Sequence, residues 1–591
     1  MSMEAKKNNN YYNKMPYTGF MFICLLIVCV LIAVYLLFDY NSKFRFSRDS
    51  GFYDDSFELK IYGNKGYDIY YTLDCTAPTL ESNKYDGPIK ISDRTSEPNV
   101  YANREDISTG FLKKEINSFS SSSSDPCYVV PDYNVDKCTI VHAAIFDDKG
   151  QCVDEIAAVY FVGTDIKEKY DDIMVVSVDV EPYDLFDYWD GIYVTGAEYD
   201  IYKEESDAAG HNRFWWSSYW YMWPANYRQK GREFEKEAQL EIFDNKHNKV
   251  LAQKCGVRVQ GDGSRGKLPR NLKLISREEY SGSRIFQTDL FNSGVDQHKY
   301  VLFGGGDDNI FKIKDYLANT MESELNFATM KFEPCVLFLE GEYWGTYYIT
   351  EDYNGDYIQN YYNVPRDEVV IWKEDAIEEG NEEDIELYND MVSFISQHDM
   401  SIDANYKKAC EMIDIDSFAD YFSSQIYIGR CGDWPRGNIA AWRSRDINLN
   451  SEYQDGKWRW MLFDANSEEQ GLDAYVSEFD VIEYAINTSE VFASLIQNES
   501  FKELFCERLL YMENNIYTED NINNFIDCYY EQMLEPLCES NMRFYGNERR
   551  DEIIENAENI RKFLLERPTY VHKMIVEHFG EEYLELGVDN K

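Results

Sequence analysis

Positive charge is what this chain lacks. Across 591 residues, 58 Lys and Arg face 107 Asp and Glu, a net charge of -49. Such a molecule repels a phosphate backbone, which excludes nucleic acid as a partner class. The same field opposes a bound nucleotide, which must gather local cations and metal, and it favours basic over acidic protein substrates. The 13 cysteines contain no C-x-x-C pair and no zinc-type spacing, which argues against a thiolate metal site. Cys24 and Cys29 fall in an apolar run and leave 11 elsewhere. An odd number means at least one free thiol or a bond to another molecule; Cys127 with Cys138, or Cys528 with Cys538, are neighbours that an oxidising compartment would let pair.

Charge vanishes altogether from residue 15 to residue 38. As a helix, residues 18–38 span about 30 Å, one bilayer core. No A-x-A site follows, and the apolar run exceeds the roughly 7 to 15 residues of a cleaved signal-peptide core, the rival reading. The expectation is a cytoplasmic tail at 1–17, an uncleaved single-pass signal-anchor at 18–38, and the bulk of the chain outside the cell membrane. Lys6, Lys7 and Lys14 precede the run while Lys43, Arg45 and Arg48 follow it, so flanking charge gives orientation only a mild push.

What remains is globular in composition, with 44% hydrophobic and 16% aromatic residues, and long enough for three or four domains of ~150 residues. From 51 to 165, short runs such as Phe57-Glu-Leu-Lys-Ile-Tyr62, Ile69-Tyr-Tyr-Thr-Leu73 and Ile140-Val-His-Ala-Ala-Ile-Phe146 predict a small all-β sandwich. The serine run at 120–124 reads as a solvated loop inside it. Strands are also expected at Val175-Val-Ser-Val-Asp-Val180, Gly191-Ile-Tyr-Val194, Gln239-Leu-Glu-Ile-Phe243 and Val257-Arg-Val-Gln260, with a hairpin turning at Glu340-Gly341. The acidic run from Lys373 to Glu386 reads as a solvated link to a helical half. There Ile415, Phe418, Ala419, Phe422 and Ile426 recur at helical spacing behind the cap candidates Asp414 and Asp416. A second stripe, Ile553 to Leu564, is expected to break at Pro568. Asn487-Thr-Ser489 and Asn498-Glu-Ser500 are glycan acceptor triplets in a eukaryotic secretory route.

The chemistry-bearing residues lie in Asp433-Trp-Pro-Arg-Gly-Asn438 and Trp458-Arg-Trp-Met-Leu-Phe-Asp464. Phosphoryl transfer needs a carboxylate to orient a hydroxyl and oxygen ligands to hold Mg²⁺ on the phosphates. The D-x-x-x-x-N spacing of Asp433 and Asn438 matches the protein-kinase pattern, and Asp464 stands where the metal-binding Asp would. Further segments coincide in order: Val257-Arg-Val-Gln-Gly-Asp-Gly-Ser-Arg265 with Arg270-Asn-Leu-Lys-Leu274, Gly341-Glu-Tyr-Trp-Gly-Thr-Tyr347 running to Glu351, and Phe492-Ala-Ser-Leu-Ile-Gln-Asn498. Over residues 170–580 this set resembles the spore-coat CotH kinase family. Ile69-Tyr-Tyr-Thr-Leu-Asp-Cys-Thr-Ala-Pro78 resembles the chitobiase/hexosaminidase C-terminal type of module, with Cys75 in place of its usual turn glycine.

The resemblance implies an α+β chain: a two-lobed atypical kinase-like domain around an ATP cleft, preceded by the transmembrane helix and the sandwich. It implies ATP and Mg²⁺ as cofactors and transfer of the γ-phosphate to hydroxyls of a surface or secreted protein. Asp433 is the candidate catalytic carboxylate, with Asn438, Asp464 and Asn466 as metal ligands. Gly261, Gly263, Ser264 and Arg265 form a turn whose N–H groups approach phosphate, or an ordinary hairpin. Arg270 and Lys273 are the candidate phosphate cations on opposite faces of one strand, with Lys273 favoured. Glu351 contacts the nucleotide or caps the next segment. Trp434, Trp442 and Arg443 read as scaffold. The family's D-x-D is here Asp464-Ala-Asn466, which brings one charge fewer to a metal, with Glu468 or Glu469 as substitutes. A catalytically inactive surface scaffold, with cell-surface polysaccharide as a partner, is the alternative; a glycosidase lacks a readable carboxylate pair.

Overall fold

The computed structural model describes residues 43–63, 66–109, 128–208, 220–466 and 471–587. The expected signal-anchor, the serine run, Cys127, Glu468 and Glu469 lie outside them. Among the described residues no helix is long and apolar enough to cross a membrane. The chain divides into a smaller unit, built from Ser56–Ile91, Val141–Ala158 and the chain before residue 51, and a larger one built from Gly51–Asp55, Ser92–Ile140 and the chain from Val159 on.

The smaller unit is a β-sandwich-like assembly of short antiparallel strands. Strand Asp68–Thr72 pairs with Asn83–Lys84 on one side and with His142 to Phe146 on the other. Phe57–Leu59 pairs with Ile89–Ile91, and in each the outer two residues are buried while the middle one is exposed, the alternation of a half-buried strand. The single strand expected from 57 to 62 is interrupted. The Lys60 N–H donates to Ser47 Oγ at 2.9 Å, and Ile61–Tyr62 pairs with Arg45–Phe46. Cys75 adopts the left-handed φ of 66° that its expected glycine would have supplied.

The larger unit opens with a closed seven-stranded barrel: β1 (Met174–Val180), β2 (Lys236–Phe243), β3 (Lys249–Val259), β4 (Leu272–Ile275), β5 (Lys299–Phe303), β6 (Phe332–Leu339) and β7 (Glu342–Thr350), in the order β1-β2-β3-β4-β5-β7-β6. All neighbours are antiparallel except β6 and β1, whose parallel pairing closes the ring. Every residue of β1 and β7 is buried, as strands covered on both faces require. The β6–β7 hairpin turns at Glu340 and Gly341, both with positive φ, 52° and 75°, as expected. Between β1 and β2 lie α1 (Pro182–Phe186) and α2 (Gly196–Ala208). The strand expected at 191–194 is instead a buried turn, because its N–H groups bond back to Asp187, Asp184 and Leu185 rather than to a sheet.

After α3 (Lys314–Met321) and β7 comes a four-stranded sheet of β8 (Val369–Lys373), β9 (Ala376–Glu379), β10 (Ala440–Ser444) and β11 (Arg459–Met461), in the order β9-β8-β10-β11. The acidic run at 373–386 is therefore a β8–β9 hairpin leading into a helix rather than a loop. Its strand alternates exposed and half-buried positions, so the acids occupy an edge face. Helices α4 (Ile415–Tyr427), α5 (Glu519–Tyr545) and α6 (Arg550–His578) share one large core with the sheet and with the shorter helices around it. The Asp414 side chain accepts the Ser417 N–H at 3.2 Å and caps α4. Helix α6 runs through Pro568 without ending; Arg567 and Val571 on either side are fully buried, and that packing outweighs the lost hydrogen bond.

The ten described cysteines form no disulfide with one another. Cys528 and Cys538 sit ten residues apart on α5, about 15 Å along the axis, beyond disulfide reach. Asn498 is no glycan acceptor: it is 2% exposed, caps a helix, and donates Nδ2 to the Met400 carbonyl at 2.9 Å.

Candidate functional site

The sheet register brings two of the predicted ligands together. Ala440 on β10 pairs with Met461 on β11, so Asn438, two residues before β10, and Asp464, three residues after β11, leave the same end of this antiparallel pair. Both Asn438 and Asp464 have positive φ, 52° and 54°, backbone that non-glycine residues adopt rarely. Buried Arg430 holds the second of them: Nη2 donates to the Asp464 carbonyl at 2.7 Å and Nη1 to the Phe463 carbonyl at 3.3 Å. The Asn438 N–H lies 3.4 Å from Glu374 Oε1 at the β8–β9 turn. Lys373 there places its ammonium 4.0 Å from the Phe463 ring centre.

Asp464 is not alone. A glycine run after β5, Gly304-Gly-Gly-Asp-Asp-Asn309, lays its backbone against the same loop. Asp307 N–H donates to Asn466 Oδ1 at 3.3 Å, and a Cβ on Gly306 would stand 3.3 Å from the Asn466 amide. Gly304 has no room for a side chain, since its Cβ would lie 2.2 Å from the Pro269 carbonyl oxygen. Asp308 Oδ2 then accepts the Ile313 and Lys314 N–H groups at 2.7 and 2.9 Å, fixing the start of α3. The next residue, Asp315, accepts Ala465 N–H at 2.8 Å and Asn466 Nδ2 at 2.5 Å. Asn466 Nδ2 also donates to Asp464 Oδ1 at 2.9 Å. One amide thus bridges two carboxylates. Burial, then the charges of Asp315 and Asp307, push the Asp464 carboxyl up to about 7, against the pull of Arg430 and Lys373. Hard carboxylate and amide oxygens that repel one another when ionised suit a Mg²⁺ ion, which relieves that repulsion and needs only one or two protein carboxylates besides phosphates.

On the barrel, Lys273 pairs with Asp352, Nζ to Oδ2 at 3.0 Å. The register explains the meeting: Lys273 lies beside Val301 on β5, and Val301 beside Thr350 on β7, two residues before Asp352. Burial alone would raise Asp352, yet Lys273 and Lys299 hold it below the usual carboxylate value. Its neighbour Glu351 is 1% exposed and already engaged, accepting Gln297 Nε2 at 2.8 Å, Tyr361 OH at 2.6 Å and Lys331 N–H at 3.0 Å.

The glycine turn at 261–266 is built inward. Gly261 has φ 111° and a Cβ there would meet Ser264 Oγ, while Gly263 faces the Tyr221 ring. Arg265 turns into the body and donates to the Gly261 carbonyl at 2.6 Å and the Gln229 carbonyl at 2.8 Å; burial lowers it to about 10. Arg270 precedes β4 rather than lying on it. It is fully buried, donates to the Arg265 carbonyl at 2.6 Å, and stacks 3.9 Å from the Tyr227 ring centre. Lys267 is the cation of this turn that reaches the acidic loop, 2.7 Å from Asp307.

Asp433 sits on an exposed turn whose carbonyl accepts Arg436 and Gly437 N–H at 2.9 and 2.7 Å. Trp434 beside it is fully buried against Phe422, and Trp442 packs on Tyr362, so both are scaffold. Sequence reasoning passed over Asp307, Asp315, Asp352, Lys267 and Arg430. The triple glycine followed by two aspartates was the legible signal for the first.

The chitobiase/beta-hexosaminidase C-terminal domain matches residues 48–105, and the CotH kinase protein model matches residues 257–571, more than half of the chain. No curated protein matches. The span from the third barrel strand to the last long helix carries every residue of the Asp464 cluster, and the chain belongs to the CotH kinase family.

Proposed function

We propose that this protein is a membrane-anchored, extracytoplasmic protein kinase that uses ATP and Mg²⁺ to phosphorylate hydroxyls of surface or secreted proteins. The observation that carries the reading is the half-buried Asp464 carboxylate, under the charges of Asp315 and Asp307 and leaving the same end of the β10–β11 pair as Asn438. Asp464, Asn438 and the Asn466 carbonyl oxygen are the groups that would hold the metal, and Lys273, kept in place by Asp352, is the cation for the phosphates. Bound Mg²⁺–ATP would supply the phosphoryl group. Asp433, exposed on its turn, orients the incoming hydroxyl and accepts its proton; Arg430 keeps the Asp464 backbone in its strained conformation. The uncharged run at 18–38 supports the anchor.

The test is phosphate incorporation into a mixture of secreted proteins, paired with thermal unfolding in ATP and Mg²⁺. A ligand at about 100 times its dissociation constant stabilises by ~2.7 kcal/mol. Asp433→Ala should lose incorporation while keeping the nucleotide-dependent shift; undiminished incorporation would remove Asp433 from the mechanism. Asn466, in the place of a family aspartate, favours a second reading, an inactive surface scaffold. That reading gains if nucleotide shifts the midpoint without any transfer, or fails to shift it at all.

A further inference from the structure

The α1–α2 segment presents three large aromatic side chains to solvent: Tyr183 is 55% exposed, Tyr188 44% and Trp189 67%. Their display is built into the fold. Asp187 Oδ1 accepts the N–H of both Trp189 and Asp190, at 2.8 and 3.0 Å. Asn226 Nδ2 donates to the Tyr188 and Trp189 carbonyls at 3.0 and 3.2 Å. Gly191 closes the turn at a place where a Cβ would come within 2.5 Å of the Asp187 backbone. A turn fixed in this way has already lost backbone freedom that binding would otherwise cost, and three exposed aromatics gathered on it form an apolar patch of the kind that marks an interaction surface.

The surroundings define the partner. Tyr183 OH donates to Asp190 Oδ2 at 3.1 Å and Tyr188 OH to Asp200 Oδ2 at 3.0 Å, so each phenol leans on a carboxylate. Residues 181–207 hold nine Asp and Glu against the single Lys203. Tyr188 and Trp189 meet edge to face, with ring centres 5.0 Å apart and planes at 84°. They offer no common flat face for a sugar ring, but an indole flanked by carboxylates suits a guanidinium or ammonium, which gains from both the ring and the charge.

We propose that Tyr183, Tyr188 and Trp189, with Asp190 and Asp200, form a docking surface for an Arg- and Lys-containing segment of a partner protein. Binding there requires neither ATP nor Asp464, so it stands or falls apart from the phosphotransfer reading. The probe is a fluorescently labelled Arg–Ser repeat peptide, titrated with the full chain and followed by anisotropy. A Glu–Ser peptide of equal length and a chito-oligosaccharide serve as comparison ligands. The Arg–Ser peptide binds and weakens with added salt, and Trp189→Ala weakens it about fivefold, the worth of one exposed cation–π contact. Asp190→Asn with Asp200→Asn weakens it again, although both asparagines still accept the tyrosine hydroxyls. The unfolding midpoint of Trp189→Ala stays at the wild-type value, because the side chain is exposed. Equal affinity in wild type and Trp189→Ala overturns the proposal, since net charge alone would then explain binding. Absence of peptide binding overturns it too, as does loss of oligosaccharide rather than peptide binding in Trp189→Ala, which would give the surface to sugars.

Discussion

At Asn466 a single amide donates to Asp315 and Asp464 at once. Exchanging it for aspartate puts three acids where two now share two N–H···O bonds. Asn466→Asp should therefore destabilise the metal-free protein by about 2 kcal/mol or more and bind Mg²⁺ more tightly than wild type. Unfolding in EDTA and in millimolar Mg²⁺ measures both; a variant as stable as wild type in EDTA would mean that the amide bridge contributes nothing. Glu322 supplies a pH prediction at the same scale. Burial raises its carboxyl to about 7, despite bonds from Tyr517 OH and Ser424 Oγ, both at 2.7 Å. A carboxyl raised above its unfolded value favours the folded state at low pH, and that advantage fades as pH climbs through the folded value. Glu322→Gln should flatten the dependence of stability on pH between the unfolded value of 4.5 and the folded value of about 7 and raise stability above that window.

Among the elements, α6 holds α4 in position. Arg567 donates to the Ile426, Tyr427 and Ser477 carbonyls at 2.6, 2.8 and 2.7 Å from a fully buried site. Those acceptors include the last carbonyls of the helix that delivers the chain to Arg430 and Asp433, groups a helix end leaves unpaired. Arg567→Met should cost about 3 kcal/mol in urea unfolding, and a loss under about 0.5 kcal/mol would show that water replaces the guanidinium. The elements also show what a sequence makes legible. Helix α4 was readable because its apolar stripe and Asp414 cap are local, and the β6–β7 hairpin because Glu340-Gly341 is a local turn. The segment 191–194 was not: apolar and short, it is buried by tertiary packing while its hydrogen bonds return to α1. Lys273 was picked out, but its partner Asp352 was hidden beside Glu351, because only the register across three strands decides which acid it meets. Asp315 was invisible for the same reason, brought to Asp464 by a helix about 150 residues earlier in the chain.

Over the whole molecule the charge of -49 acts against compactness as well as against anionic ligands. Raising ionic strength from about 10 mM to about 0.5 M shortens the Debye length from about 30 Å to under about 5 Å. The unfolding temperature should rise over that range, and a fall would mean that ion pairs such as Lys273–Asp352 outweigh the general repulsion. The barrel adds a constraint of another kind. Its ring is completed by the parallel contact of β1 with β6, whereas the family match starts at residue 257, with only the last three residues of β3 still to come. A fragment cut at that boundary would expose the backbone of β4 and β6 along two unpaired edges, the template for strand-to-strand aggregation. Soluble, monomeric recombinant protein should require a start ahead of Met174. The kinase-like half of this sequence draws its closing staves from residues that precede the family pattern.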